Sequence, residues 1–203
     1  LVAEYARKLA TRLDDSGYAG ETLIMQSNGG VIPLEQMGAR AANVVRSGPA
    51  AGVMAAAHIA SRAGYDHVIT GDMGGTSYDV AVVVEGAPKI ARSTLLDFRI
   101  PLKIPMIDVH TIGAGGGSIA SVDGAGVLQV GPRSAGAMPG PACYGHGGTA
   151  ATVTDANVVL GRIDWEHPIG AKDSAQLDFG AAREVVENLG RQLGIGSEAT
   201  AAA

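Results

Sequence analysis

Two carboxylates bracket a glycine turn in the stretch Gly71-Asp72-Met73-Gly74-Gly75-Thr76-Ser77-Tyr78-Asp79-Val80. Gly74 and Gly75 let the backbone approach a ligand closely and aim N–H groups at it. Thr76 adds a hydroxyl that can donate to a phosphoryl oxygen. Asp72 and Asp79 are hard oxygen donors that suit a hydrated Mg²⁺ shared with phosphate oxygens. The pattern therefore fits phosphoryl binding, with Asp72 and Asp79 as the catalytic pair and Gly74, Gly75 and Thr76 as the phosphate contacts. It is not a Walker A loop, because no Gly-Lys-Ser/Thr follows and no helix opens there. An ordinary Gly-Gly hairpin turn is the alternative, but a plain turn has no need of the carboxylates.

A second dense stretch runs Ile107-Asp108-Val109-His110-Thr111-Ile112-Gly113-Ala114-Gly115-Gly116-Gly117-Ser118. Four glycines in five positions suit a backbone that cradles phosphate or the sugar of a nucleotide, so Gly113, Gly115, Gly116, Gly117 and Ser118 are expected to contact the same ligand. Asp108 and His110, two apart on an extended segment, share one face and suit a metal pair. The alternative is a histidine that bonds the carboxylate for structure. His146, in the proline- and glycine-rich loop over 131–149, can join them as a third ligand. Cys143 in that loop lacks an evident basic partner or helix amino end, and reads as packed rather than nucleophilic.

The elements that must position these groups follow from spacing. Val68–Thr70 and Val80–Val84 predict strands on either side of the turn, with Glu85-Gly86 breaking into a further extended run over 88–92. Val2, Tyr5, Ala6, Leu9 and Leu13 predict an opening helix. Residues 22–26 predict a strand, ended by the turn Ser27-Asn28-Gly29-Gly30, either a ligand edge or a plain turn. Ser47 as N-cap and Pro49 near the first helical position predict a helix to about Arg62, closed by Gly64. Its amino end can face an anion. His58 reads as packed within it and His67 as surface. Ser93–Pro105 reads as extended, and 127–130 as a strand. Thr154 or Asp155 is expected to begin a short helix ended by Gly161, unless Asp155 points into the site. Asp178 is expected to cap a peripheral helix over Gly180–Leu193. The organisation expected is one domain over 1–163 with a peripheral helical tail over 164–203.

Composition bounds the function. A net charge of −5 leaves no basic footprint for nucleic acid. One cysteine among 203 residues precludes an internal disulfide and fits the cytoplasm. No apolar run approaches the length of a membrane span, and no signal peptide is evident. The first residue is Leu1 and the last stretch reads as a helix start, which suggests a piece of a longer chain.

Five ordered motifs together resemble the hydantoinase A / 5-oxoprolinase family, which includes the acetone carboxylase ATP-binding subunit. They are Gln26–Gly30, Ser47–Gly52, Asp72–Val80, His110–Ala120, and the block from Gly140-Pro141-Ala142-Cys143-Tyr144-Gly145 to Leu160-Gly161-Arg162. The resemblance covers about residues 20 to 195. It implies an α/β, actin-like/sugar-kinase-like (ribonuclease H-like) ATPase lobe, one part of a two-lobe protein with ATP and Mg²⁺ between the lobes. A second divalent metal is a further possibility. It implies ATP-dependent opening of a small cyclic amide, with ATP-dependent carboxylation of a ketone as the alternative, and a hydantoinase B-type partner subunit or domain. A non-catalytic nucleotide-binding assembly subunit is the reading from another class. Two departures stand out. The family's amino-terminal phosphate turn, Asp-Val-Gly-Gly-Thr-Phe-Thr-Asp, is missing, so this chain is expected to hold half of the nucleotide site. His146 stands where the family is expected to carry arginine.

Overall fold

The computed structural model describes residues 1–95, 101–168 and 176–203. The chain is mixed α/β and divides into two compact units, one of Leu1–Asp72 with Asp79–His110, the other of Met73–Tyr78 with Thr111–Ala203. The part of the expected 93–105 extension that falls on 96–100 lies outside the described residues.

In the first unit, helix α1 (Val2–Asp15) buries Ala6 on its apolar side. Strands β1 (Leu23–Met25) and β2 (Val31–Pro33) form an antiparallel hairpin in the register Ile24↔Ile32. The intervening turn is a structural junction. Ser27 is 2% exposed, its N–H and hydroxyl both donate to the carbonyl of Asn43, and its own carbonyl accepts from Ile107 N–H at 2.7 Å. The Asn28 side chain accepts from Gly30 N–H at 2.9 Å, the local bond that makes asparagine a turn former.

Helix α2 spans Ser47–Arg62, and Gly64 follows it at φ +86°. Its N-cap is Arg46 rather than the expected Ser47; Arg46 sits in the left-handed region at φ +60° and no side chain caps the first turn. Ala50, Val53 and Ala57 recur on one face and bury it against Ala81, Val83 and Ile107. His58, on another face, is exposed rather than packed, and His67 is exposed as expected.

That core is the covered face of a sheet ordered β10 (Val109–Ile112), β4 (Tyr78–Val84), β3 (Val68–Met73), with β5 (Ala87–Pro88) also on β4. β4 alternates as a half-covered strand should: Ala81 and Val83 are buried, Val82 and Val84 exposed. On β3, the Thr70 hydroxyl accepts from Ala81 N–H at 3.2 Å. Glu85 (φ +52°) and Gly86 (φ +72°) make the two-residue turn from β4 to β5, both left-handed as a type I′ turn requires. Short pairs β6 (Ile90–Ala91) with β9 (Met106–Ile107), and β7 (Thr94–Leu95) with β8 (Pro101–Leu102), complete the unit.

In the second unit, β11 (Ser118–Val122) and β12 (Leu128–Ser134) form an antiparallel hairpin with a bulge between Ser118 and Ala120. Three helices pack with it: α3 (Val153–Val159), α4 (Phe179–Leu193) and α5 (Ser197–Ala202). Asp178 caps α4 by accepting from Ala181 N–H at 2.8 Å, and Gly194 ends it at φ +71°. This helix is not the peripheral tail its position in the chain suggested. Val185, Val186 and Leu189 are core residues with Ala142 and Ala151. Burying each contributes about 1.5–3 kcal/mol, so residues after 164 help to hold the unit together. Gly190 allows α5 to come close: a Cβ there would stand 2.6 Å from the Thr200 hydroxyl.

Candidate functional site

Asp72 and Asp79 stand in the first unit, near the end of β3 and the start of β4. Both line a cleft of about 260 Å³ whose other wall is the first turns of α2, Pro49, Gly52, Val53 and Ala56. Asp72 is exposed and Asp79 half-buried. Gly52 opens this wall: a Cβ there would meet nothing nearer than the Asp72 Oδ2 at 3.9 Å. Two carboxylates thus share a cleft with a helix amino end, whose free N–H groups favour negative charge.

The residues between those carboxylates belong to the second unit, where they pack on the glycine stretch. The turn closes with Gly74 N–H donating to Ser77 C=O at 2.9 Å. Gly116 N–H donates to Gly74 C=O at 2.9 Å and Gly117 N–H to Gly75 C=O at 2.7 Å. Gly115 N–H donates to the Ser118 hydroxyl at 2.9 Å. The glycines are required by this packing. A Cβ on Gly115 would lie 2.6 Å from both Gly74 O and Thr76 N, and one on Gly117 2.9 Å from Gly75 O.

The glycine stretch therefore differs from the expected cradle. The N–H groups of Gly115, Gly116 and Gly117 and the Ser118 hydroxyl are spent inside the protein. The groups left over are on the turn itself: the N–H groups of Gly75, Thr76 and Ser77 and the Thr76 hydroxyl have no hydrogen-bond partner among the described residues. Gly113 is exposed, with open space where a Cβ would be.

Asp108 and His110 come together as their spacing implies, His110 Nε2 lying 3.7 Å from one Asp108 oxygen. The other oxygen holds the Lys89 ammonium at 3.2 Å. That cation competes directly with any divalent ion on the same carboxylate. His146 is exposed, on the loop of the second unit. Among the described residues, one group of three side chains converges as metal ligands do, Asp164, Glu166 and His167, all exposed. There Asp164 accepts from the N–H groups of Glu166 and His167, and these bonds, His167 first, hold its carboxyl below the usual range.

Two features escape the reading by spacing. Asp155 neither starts α3 nor points into a site. It is fully buried at the third helical position and forms a capping box with Thr152. Its oxygens accept from the N–H groups of Ala142 (3.3 Å), Cys143 (2.9 Å) and Thr152 (3.0 Å) and from the Thr152 hydroxyl (2.7 Å). The signal was the Thr-x-x-Asp spacing from Thr152. The second is a cleft of about 520 Å³ beside the glycine turn, which Tyr144 and Asn157 line. Cys143 is packed as expected: burial first, then the charge of Asp155, pushes its thiol far up, away from the nucleophilic thiolate.

The family described as Hydantoinase/oxoprolinase matches residues 1–203. The chain belongs to this family. It is 43% identical over 203 residues to caprolactamase subunit alpha of Pseudomonas jessenii, covering 99% of this chain and 29% of that protein. The crystal structure of ATP-dependent caprolactamase from the same organism superimposes with a TM-score of 0.75 at 41% identity, over 98% of this chain and 28% of that one. Nucleotide-free acetone carboxylase, from a study of ATP-dependent acetone carboxylation, superimposes with a TM-score of 0.78 at 27% identity, over 97% and 27%. The chain thus spans less than a third of these relatives. The fold is the one they share, and the expected family and mixed α/β class are borne out. No helix among the described residues is long and apolar enough to cross a membrane.

Proposed function

We propose that this chain carries the phosphate- and magnesium-holding part of a cytoplasmic, ATP-dependent enzyme of hydantoinase or 5-oxoprolinase type, which opens a cyclic amide. The observation that carries this is the turn Met73–Tyr78. Its backbone is fixed by bonds from Gly116 and Gly117, while three successive amides and the Thr76 hydroxyl remain unpaired among the described residues. Successive N–H groups of this kind form a concavity for an anion. Gly75, Thr76 and Ser77 would receive the terminal phosphates through these amides and the Thr76 hydroxyl. Gly74, expected among the contacts, spends its N–H closing the turn on Ser77 C=O, and Gly113 stands open to the ligand. Gly115, Gly116, Gly117 and Ser118 would serve from behind, by holding the turn in shape.

Asp72 and Asp79, the residues on either side of the turn in the chain, fit Mg²⁺ by donor type and by sharing one cleft. Mg²⁺ held by them would supply the charge neutralisation that phosphoryl transfer generally uses. The amide oxygen of the substrate would accept that group, which leaves the ring carbon open to water. The Lys89 contact argues against a second metal at Asp108 and His110, and His146 has no metal role in this reading. The name of the caprolactamase relative, a subunit alpha, supports a further subunit as partner, for which the family resemblance implies the hydantoinase B type.

The likeness to acetone carboxylase favours a second reading on the same site, in which ATP drives carboxylation of a ketone. Calorimetry of Mg·ATP binding to the full-length protein, followed by ADP release with lactams, 5-oxoproline or ketone plus bicarbonate, separates them. Turnover with a cyclic amide, lost by about 100-fold or more in Asp72→Asn, supports the hydrolase. Turnover only with ketone and bicarbonate supports the carboxylase. Binding without turnover on any of them identifies a nucleotide-binding assembly subunit, and absence of Mg·ATP binding sinks the phosphate-turn reading.

A further inference from the structure

The cleft beside the turn is lined by two kinds of surface. One is bare backbone, including Gly74, Gly75, Gly116 and Gly117; the other includes Tyr144, Asn157 and Ile163. Of this backbone, the Gly75 N–H has no partner among the described residues, while those of Gly74, Gly116 and Gly117 are spent within the protein. The cleft thus offers an anion donor at the edge of the turn and a planar or apolar surface beyond it. α3 links the two: Thr154 donates to Gly116 C=O at 2.8 Å, and Asn157, three residues on, shares that helical face about 4.5 Å further along the axis.

Tyr144 is an aromatic ring on a fixed mount. It ends a short 3₁₀ turn, Ala142–Tyr144, whose first two residues are buried and whose N–H groups there are held by Asp155. Its own N–H donates to Pro141 C=O at 3.1 Å. The ring lies over Gly140, where a Cβ would stand 2.9 Å from Cδ2. Yet the side chain is 43% exposed, and its hydroxyl has no partner among the described residues. Asn157 uses its carbonyl oxygen to accept from Arg162 at 3.4 Å, which leaves its NH₂ group to donate elsewhere. A rigid exposed ring with an amide donor nearby is the equipment for a heterocyclic base: a face to stack on and an edge to bond.

We propose that Tyr144 and Asn157 form the nucleobase subsite of this chain, Tyr144 by stacking and Asn157 by donating to a ring nitrogen. The assignment rests on the nucleotide reading above and extends it to residues outside the phosphate turn. The experiment titrates the full-length protein with Mg·ATP and, separately, with Mg·tripolyphosphate, which has the phosphates and no base. Tyr144→Leu should weaken ATP about tenfold, one base–aromatic stack, and leave tripolyphosphate unchanged. Tyr144→Phe keeps the stacking face and should retain ATP affinity. A second readout is the upfield shift of the adenine protons on binding, present in the parent protein and lost in Tyr144→Leu. Equal weakening of both ligands, no change in either, or loss of lactam binding alone overturns the base assignment. Parent protein that binds tripolyphosphate as tightly as ATP overturns it too, with the phosphate turn intact. Parent protein that binds neither ligand removes the nucleotide reading itself.

Discussion

Gly116 N–H donates to Gly74 C=O at 2.9 Å, so the glycine stretch holds the turn at 73–78 by its backbone. Gly115 sets how closely the two approach, since a Cβ there would lie 2.6 Å from Thr76 N and from Gly74 O. Backbone atoms on both sides leave no flexible side chain to move away. Gly115→Ala should therefore displace the turn, cost about 1–3 kcal/mol of stability and weaken Mg·ATP by at least about tenfold. Gly124→Ala, in the turn between β11 and β12, where an added Cβ likewise meets nothing within 4 Å, is the matched control and should bind as the parent does. Equal affinities for the two variants in calorimetry would show that the turn does not need its glycine backing.

Asp155 is the most committed carboxylate described in the second unit, buried and accepting four hydrogen bonds. Asp155→Ala leaves the amides of Ala142, Cys143 and Thr152 without their acceptor. It should cost about 3–5 kcal/mol, the scale of a broken buried polar network. Asp155→Asn keeps the shape but turns one oxygen into a donor facing donors, for about 1–3 kcal/mol. Urea denaturation orders the variants; an Asn variant as unstable as the Ala variant would mean that shape contributes nothing.

These two sites mark how far spacing alone reaches. The glycine turn at 73–78, the end of α2 at Arg62 and the cap at Asp178 were legible, because glycine and aspartate act within a few residues of themselves. The role of Asp155 was not, because its partners Ala142 and Cys143 sit 13 and 12 residues away along a loop. The glycines at 115–117 were recognised as a close backbone approach, but not what they approach. A bare backbone can face a ligand or another backbone, and only the fold decides. The expectation of a peripheral α4 failed for a similar reason: its apolar face was readable, whereas what covers it depends on the hairpin and α3. His58 shows the converse, since an alanine-rich helix gives little contrast between its faces.

The Cys143 thiol is pushed up, by burial first and by the Asp155 charge second, from an ordinary value of 9.0. In the unfolded chain the same thiol ionises near its ordinary value. The folded form therefore holds its proton more tightly, and the stabilisation is complete below that pH and lost as pH rises above it. Stability should fall above about pH 9 by up to about 1.4 kcal/mol per pH unit from this group. Parallel urea titrations of the parent and Cys143→Ala should show the extra slope only in the parent. Identical slopes would mean that the thiol is not protected. A thiol reagent should likewise modify Cys143 only when the protein unfolds.

Gly52 sits inside α2, where glycine costs up to about 1 kcal/mol relative to alanine. Space is available at this position, since an added Cβ meets only the Asp72 Oδ2, at the ordinary contact distance of 3.9 Å. Gly52→Ala should therefore stabilise the protein by about 0.5–1 kcal/mol in urea denaturation. The residue also lines the cleft that holds Asp72 and Asp79, so a longer side chain must project into it. Gly52→Leu should keep most of the helical gain yet weaken Mg·ATP by about tenfold or more, through crowding of the carboxylates. If Gly52→Leu binds Mg·ATP as tightly as Gly52→Ala, this cleft does not receive the ion, and Asp72 and Asp79 must act through another face.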